Sequence, residues 1–589
     1  MTLRHPKHGG ALLALFLGLA LAFAAAAQTQ RRPAPERPSD RTVKHTASAR
    51  HQMVATANPL ATDAGDLILR RGGSAVDAAI AVQMVLNLVE PQSSGIGGGA
   101  FMLVHDSRRG TLIAYDGRET APAAARPDRF LDQAGHPLRF FDAVVGGRSV
   151  GVPGTLRMLE LAHRRHGRLA WTTLFDPAIR LAEQGFVVSR RLSSAIAAER
   201  FLRQDRARAY FHNVDGTPLA AGQLLRNPAF AATLKRIAAE GANAFYTGEI
   251  AQDVVRTADG YAANPGDLTT ADLAAYQARA RKPVCGRYRS YRVCGAPPPS
   301  SGGIAVLQML GMLERFDMRS IGSSDLMSAH LFSEAGRLAY ADRDVYVADP
   351  DFIAVPAGLT DRAYLRERSR LIRPDSSVGY AAPGMPPPIA AEDSPAFGQG
   401  EALEFPSTSH ISIVDRYGGA VAMTTTIEDA FGSKLMTAGG FLLNNELTDF
   451  AFAPFESGRP VANRVEGGKR PRSSMAPTIV YDAQGQIAVV AGSPGGNAII
   501  NYVAKTLIAI LDRGLDPQAA VDLPNIGSRN APTELERGTA AEALAPKLEA
   551  LGETTQIVDQ NSGLQVIVRA AGRWRGAADS RREGTVRGD

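Results

Sequence analysis

The residues with the strongest claim to chemistry are Ser407-Thr408-Ser409-His410. They stand where a long loop gives way to Ser409–Asp415, an alternating segment that reads as a strand. A hydroxyl in front of a strand ordinarily serves as a turn or cap. A threonine made N-terminal by chain cleavage can do more. Its own α-amine, with a reference pKa of about 8, is a general base for its own hydroxyl, so no histidine is required. The loop position lets the upstream chain leave while the strand holds the nucleophile rigid. With 11 histidines in 589 residues, a Ser-His-Asp triad has few candidates. No zincin, Walker or nucleophile-elbow pattern is present.

The elements that must position this segment are legible in outline. Thr62 is placed to cap a helix over Asp63–Arg71 that Gly72-Gly73 ends, and Ser74 to cap Ala75–Val89 before Pro91. The turn-rich run from Gln92 to Ala100 leads into a buried strand, Phe101–Val104. That run loosely resembles a dinucleotide fingerprint, but it precedes a strand instead of joining strand to helix. Helices are expected over Leu156–His166, Pro177–Gln184, Pro228–Ala239, Thr270–Arg279 and 304–314, and an exposed loop over 373–403. Strands are expected at Ala420–Thr426, Gly440–Leu443, Thr478–Tyr481 and Ile487–Val490, then a helix over Ile499–Asp512. Strands first and a helix later describe a sheet-centred unit.

The formal charge of +6 suggests a polyanion partner until it is located. Residues 1–52 hold eight basic and two acidic side chains, which is the whole excess, and the body from 53 is neutral. Neither a nucleic-acid partner nor a membrane surface is therefore expected. Arg4 and Lys7 before the apolar run Ala11–Phe23 and the small residues Ala25-Ala26-Ala27 read as a signal peptide over 1–27. The product is then exported, periplasmic or secreted, with 28–52 a disordered tether. Two cysteines remain, Cys285 and Cys294. A hairpin turning at Arg289-Ser290 puts them opposite each other at a non-hydrogen-bonded position, where a disulfide fits. Arg-Ser is a poor primed turn, and two free thiols are the alternative. No further ligand completes a zinc site.

The chain resembles the γ-glutamyltransferases (γ-glutamyltranspeptidases) of the N-terminal-nucleophile hydrolase superfamily. The likeness runs over about 53–587 and rests on motifs in family order. These include P-Q-S-S-G-I-G-G-G at 91–99, G-R-E-T-A-P at 117–122, P-P-P-S-S-G-G at 297–303 and T-S-H-I-S-I-V-D at 408–415. L-L-N-N-E-L-T-D-F at 442–450, K-R-P-R-S-S-M-A-P-T-I-V at 469–480, G-S-P-G-G at 492–496 and G-A-A-D-S-R-R-E-G at 576–584 follow.

The resemblance implies an α/β, four-layer αββα fold. It also implies autocatalytic cleavage between Ser407 and Thr408, giving a large subunit (body 53–407) and a small one (408–589) that form a heterodimer. Thr408 is then the cofactor-free, metal-free nucleophile toward glutathione and other γ-glutamyl compounds, with water, amino acids or dipeptides as acceptors. Arg118, Ser473 and Ser474 suit the substrate α-carboxylate, and Glu428, Glu446 and Asp449 its α-ammonium. Gly495 and Gly496 bring backbone N–H groups to the oxyanion, and Thr426 bonds Thr408. Each has a plainer reading: a surface ion pair for Arg118-Glu119, turn or cap roles for Ser473-Ser474 and Asp449, a tight turn for the glycines, solvated or filler strand positions for Glu428 and Thr426. Lys469-Arg470 reads as a solvated or structural pair. Departures from the family pattern are Glu428 and Glu446 in place of Asn and Gln, Asn497-Ala498 after the glycines, and no Tyr or Trp over Phe450–Gly468, which predicts a more open site. The rival functions are a cephalosporin/glutaryl acylase on the same scaffold and a non-catalytic binding homologue.

Overall fold

The computed structural model describes residues 41–589 apart from 323–324, 388–396, 401 and 406. The expected signal peptide and the first part of the tether, 28–40, lie outside the described residues. In chain order the strands of the main sheets are β1 (Ala47–Ala49), β2 (Met53–Thr56), β3 (Gly99–Asp106), β4 (Thr111–Gly117), β5 (Arg279–Arg281), β6 (Val284–Tyr288) and β7 (Tyr291–Gly295). Then come β8 (Thr408–Val414), β9 (Ala420–Thr426), β10 (Thr478–Tyr481), β11 (Ile487–Gly492), β12 (Gln565–Ala570), β13 (Arg573–Ala578) and β14 (Thr585–Gly588). They form two seven-stranded antiparallel sheets, ordered β1-β13-β12-β11-β10-β7-β6 and β14-β2-β8-β9-β3-β4-β5.

Strand alternation explains why the sheets stack. On β9, Val421 and Met423 point outward to the helical layer, whereas Ala420 and Ala422 point inward to the other sheet. Leu103, Val414, Ile479, Val490 and Ile567 fill the space between the sheets. The helices α1 (Pro59–Arg70), α2 (Ala75–Val89) and α3 (Thr155–His166) pack on the outer face of the β8 sheet. On the other side, α4 (Gly302–Leu313), α5 (Leu326–Tyr346) and α6 (Ile499–Leu511) cover the β11 sheet. The result is the expected αββα sandwich. No helix among the described residues is long and apolar enough to cross a membrane.

Several local expectations are corrected. The tether reading fails for 41–52: β1 pairs with β13, and Lys44 donates to the carbonyls of Asp579, Arg582 and Gly584 at 2.6–2.7 Å. Its polar composition gave no hint that the C-terminal strands supply those acceptors. α1 begins at Pro59 under Asn58, not at Thr62, because Pro59 presets the first turn and the Asn58 side chain accepts from the N–H of Leu60 at 3.0 Å. Ser74 caps α2 as expected, through a capping box with Asp77. The helix expected to reach Arg279 ends at Ala275, and the following residues enter β5. Gly440–Leu443 is a turn with one bridge from Leu442 to Met436, not a strand. Parts of 373–403 are held down, since Ala381 is buried and exchanges backbone bonds with the Asn530 side chain at 2.8 and 2.9 Å.

Cys285 faces Cys294 across β6 and β7, their Cα atoms 4.1 Å apart, and the two are bonded. Arg289 accommodates the turn by adopting a left-handed φ of 52°. Closing this loop, with a sequence separation of 9, removes about 2.6 kcal/mol of unfolded-state freedom. Replacing both cysteines by serine is expected to lower Tm by roughly 2–4 °C in calorimetry, with turnover unchanged.

Candidate active site

β8 lies in the middle of its sheet, between β2 and β9, and Thr408 is its first residue. The pairing register sets Thr408 opposite Thr426, the last residue of β9. The Thr408 hydroxyl donates to the Thr426 hydroxyl at 3.2 Å, and Thr426 in turn donates to the carbonyl oxygen of Ser407 at 2.8 Å. Two strand ends thus aim a hydroxyl pair at the 407–408 peptide bond. The bond is flanked by further anchors. The Ser407 hydroxyl donates to the Gln92 carbonyl, and Arg582 donates to the Thr408 carbonyl at 3.2 Å. Ser409 donates to the buried Glu90 at 2.9 Å, and Glu90 pairs with Arg191 at 2.8 Å. His410 is buried, its pKa lowered to about 3, and bonds Thr424, so it carries no charge beside the nucleophile.

Thr408 and Thr426 open onto a small cavity, of about 20 Å³ in the uncut chain, that Arg118, Glu428, Glu446, Asp449, Ser473, Ser474 and Gly496 also line. Arg118 follows the end of β4 and is fully buried, which excludes a surface pair with Glu119. Its guanidinium donates to Glu446, Asp449 and the carbonyls of Pro471 (3.1 Å) and Arg472 (2.7 Å). Glu446 and Asp449 sit on a single 3-10 turn, Glu446–Asp449, so one short element delivers both. Burial raises Glu446 and Glu119 to about 8, against the opposing pull of Arg118. Burial and the neighbouring acids raise Glu428 and Asp449 as well. Glu428 follows β9 with a left-handed φ of 76°, a conformation that Asn adopts more readily than Glu. Its two oxygens accept from the N–H of Phe405 at 2.8 Å and from the Asn445 side chain.

Ser473 accepts from the N–H of Met475 at 3.1 Å. Ser474 accepts from Arg343 at 2.8 Å and donates to Asn497 at 3.4 Å. Gly495 and Gly496 have φ of 137° and 54° and precede α6, whose N-terminal end faces the cavity. A Cβ on Gly496 would lie 2.6 and 2.7 Å from the carbonyl oxygens of Glu404 and Phe405. Asn497, where the family pattern differs, donates to the Ala402 carbonyl at 3.3 Å, and its own carbonyl accepts from Tyr340. Lys469 and Arg470 are buried, which leaves the structural half of that reading.

The structure thus gathers the sequence-predicted residues around one cavity, apart from Ser407, whose side chain points to Gln92, and Gly495, which stands one residue behind the lining. Sequence reasoning missed Glu90, Glu119, Arg343, Asn445 and Glu404. Glu119 carried a signal, since it adjoins Arg118, but was read as a surface partner. Glu404 lies one residue past the loop expected over 373–403, where no element or motif marks it. The open-site expectation takes another form here: in the uncut chain Glu404 and Phe405 themselves line the cavity, with the Phe405 ring stacked on Phe140 at 4.2 Å. The grouping His330, Glu334 and Glu553 has metal-ligand types, yet His330 bonds Glu553 at 2.6 Å and Glu334 and Glu553 both bond Arg337.

Residues 61–588 match the family model described as Gamma-glutamyltranspeptidase. The chain is 38% identical over 550 residues to the glutathione hydrolase proenzyme of Bacillus subtilis (strain 168), covering 91% of each chain. Among solved structures it is similar to a cephalosporin acylase from Bacillus halodurans, with a TM-score of 0.79 and 27% identity over 95% of this chain and 99% of that one. It is also similar to the Helicobacter pylori gamma-glutamyltranspeptidase, with a TM-score of 0.56 and 35% identity over 60% of this chain and all of that one.

Proposed function

The chain belongs to the gamma-glutamyltranspeptidase family, and from that membership we propose that it is an exported, self-processing γ-glutamyltransferase and glutathione hydrolase. The observation that carries the reading is the relay from Thr408 through Thr426 to the Ser407 carbonyl, set in a cavity ringed by buried acids.

In maturation the Thr408 Oγ adds to the Ser407 carbonyl carbon while Thr426 stabilises the developing oxyanion. The C–N bond breaks and the Thr408 nitrogen takes a proton, leaving Ser407 as an ester on Thr408. One water hydrolyses that ester, yielding a Ser407 carboxylate and a free Thr408 α-amine. The large and small chains stay together because β8 lies inside the sheet. In turnover the α-amine takes the hydroxyl proton as Oγ attacks the γ-carbonyl of the donor. The N–H groups of Gly495 and Gly496 meet the oxyanion. The leaving amine departs with the proton, and water or an amino acid resolves the γ-glutamyl ester.

Glu428, Glu446 and Asp449 receive the donor α-ammonium. Ser473, Ser474 and Arg118 read its α-carboxylate, Arg118 by exchanging one of its present acceptors. The likeness to a cephalosporin acylase supports a second reading, glutaryl transfer. A glutaryl group has no ammonium, so it would leave the buried acids at that end without the cation they are placed to meet. The test is direct. The small fragment of the expressed protein is expected to begin at Thr408, and γ-glutamyl anilide to be hydrolysed much faster than a glutaryl anilide. A fragment starting elsewhere, or preference for glutaryl, overturns the reading.

A further inference from the structure

Glu404 is a buried carboxylate three residues upstream of Ser407, and it lines the same cavity as Thr408. It is paired with Arg343, which lies on α5 near that helix's C-terminal end. The remaining Arg343 donors are placed with care. Nε donates to the Ser301 hydroxyl at 2.9 Å, Nη1 to Asp344 at 2.7 Å, and Nη2 to both Glu404 and the Ser474 hydroxyl, the latter at 2.8 Å. The neighbouring backbone is held as a ligand would be. The N–H of Phe405 is bound by Glu428, and the carbonyls of Glu404 and Phe405 lie against Gly496.

Resting on the self-processing reading above, we propose that the Arg343 guanidinium is a second carboxylate seat. The chain's own Glu404 fills it before the cut. Afterwards it takes a carboxylate on the leaving amine of the donor or on the incoming acceptor.

Charge makes the exchange necessary. Arg472 lies 3.3 Å from the same Asp344 that pairs with Arg343. Once the cut frees the segment that carries Glu404, two buried guanidinium groups share that one aspartate. A buried cation without a counter-ion is costly, so an anion is drawn to the vacated place. The seat adjoins the amino-acid end of the cavity through Ser474, yet it is distinct from Arg118, which Glu446 and Asp449 engage. A planar fork favours a carboxylate over a neutral amide. The substrate class that follows is γ-glutamyl compounds whose leaving amine is itself an acid, such as an amino acid or a peptide with a free C-terminus.

The experiment compares mature wild type with Arg343→Gln and Arg343→Lys. The donor arm pairs a γ-glutamyl dipeptide acid with its C-terminal amide, and the acceptor arm pairs a free dipeptide with its amide. Uncharged γ-glutamyl anilide is the reference. Wild type is expected to favour the acid by about tenfold or more in kcat/KM in at least one arm, the arm that responds naming the carboxylate's source. Arg343→Gln should bring that ratio to near unity and Arg343→Lys should restore part of it, with anilide turnover normalising any general loss transmitted through Ser474. A ratio near unity in wild type overturns the proposal, as does one that Arg343→Gln leaves unchanged. If Arg343→Gln does not self-process, the wild-type ratios decide alone. Wild type that hydrolyses no γ-glutamyl anilide refutes the underlying reading and not this seat.

Discussion

Thr408→Ala is expected to yield a single uncut chain on a denaturing gel and to turn over no γ-glutamyl anilide above background, a loss of about 10⁴-fold or more. Both losses follow from one oxygen. The Thr408 Oγ is the atom that reaches the Ser407 carbonyl before the cut, and the same atom carries the acyl group after it. Thr408→Ser keeps that oxygen and should still self-process. Thr426→Val is the graded control. It preserves a β-branched strand residue opposite Thr408 but removes the donor 2.8 Å from the Ser407 carbonyl oxygen. Loss of one such donor costs about 10²–10³-fold in rate, so cutting should slow yet still occur. If Thr408→Ala is cut at the wild-type rate, the hydroxyl is not the nucleophile and the proposed mechanism falls.

The strand half of this arrangement was legible because it depends on local pattern. Alternation in Ser409–Asp415 is a period-two signal, and the Gly418-Gly419 turn folds Ala420–Thr426 back along it, so the start of one strand meets the end of the other. Ser74 was readable as a cap for the same reason, since a capping box is closed within four residues. The misses are long-range. Nothing near Lys44 announces three carbonyl acceptors more than 500 positions away. Thr62 was a reasonable cap until Asn58-Pro59 offered a better one. Gly440–Leu443 has strand composition, but two consecutive glycines (Gly439 and Gly440) allow a turn, and Gly440 takes a φ of 81°. The acids divide in the same way. Arg118, Glu446 and Asp449 came from motif resemblance, which carries tertiary information that periodicity lacks. Glu404 and Arg343 belonged to no motif, so their pairing across 61 residues of chain became visible only in three dimensions.

Arg118→Met tests the acidic set from the opposite side. Arg118 donates to Glu446 and Asp449, and Glu119 lies 4.0 Å from it, all with side chains almost wholly removed from water. Removing the cation leaves three buried carboxyl groups without their shared partner. Breaking a buried pair in this way costs about 3–5 kcal/mol. The loss should depend on pH in a direction opposite to the usual salt bridge. Glu446 and Glu119 already have folded-state pKa values raised to about 8, above the ordinary glutamate value, so the folded state binds more protons than the unfolded one. Without Arg118 those values rise further. Where the folded state binds more protons, stability falls as pH rises. The variant should therefore lie closest to wild type near pH 5, where Glu446 and Glu119 are neutral, and furthest below it near pH 9. Thermal unfolding at those two pH values reads the difference. Arg118→Lys returns the charge without the fork and should recover stability at pH 9 while leaving kcat/KM for a γ-glutamyl donor depressed by about tenfold or more. Equal destabilisation of Arg118→Met at both pH values would mean that packing, not charge, is what Arg118 contributes.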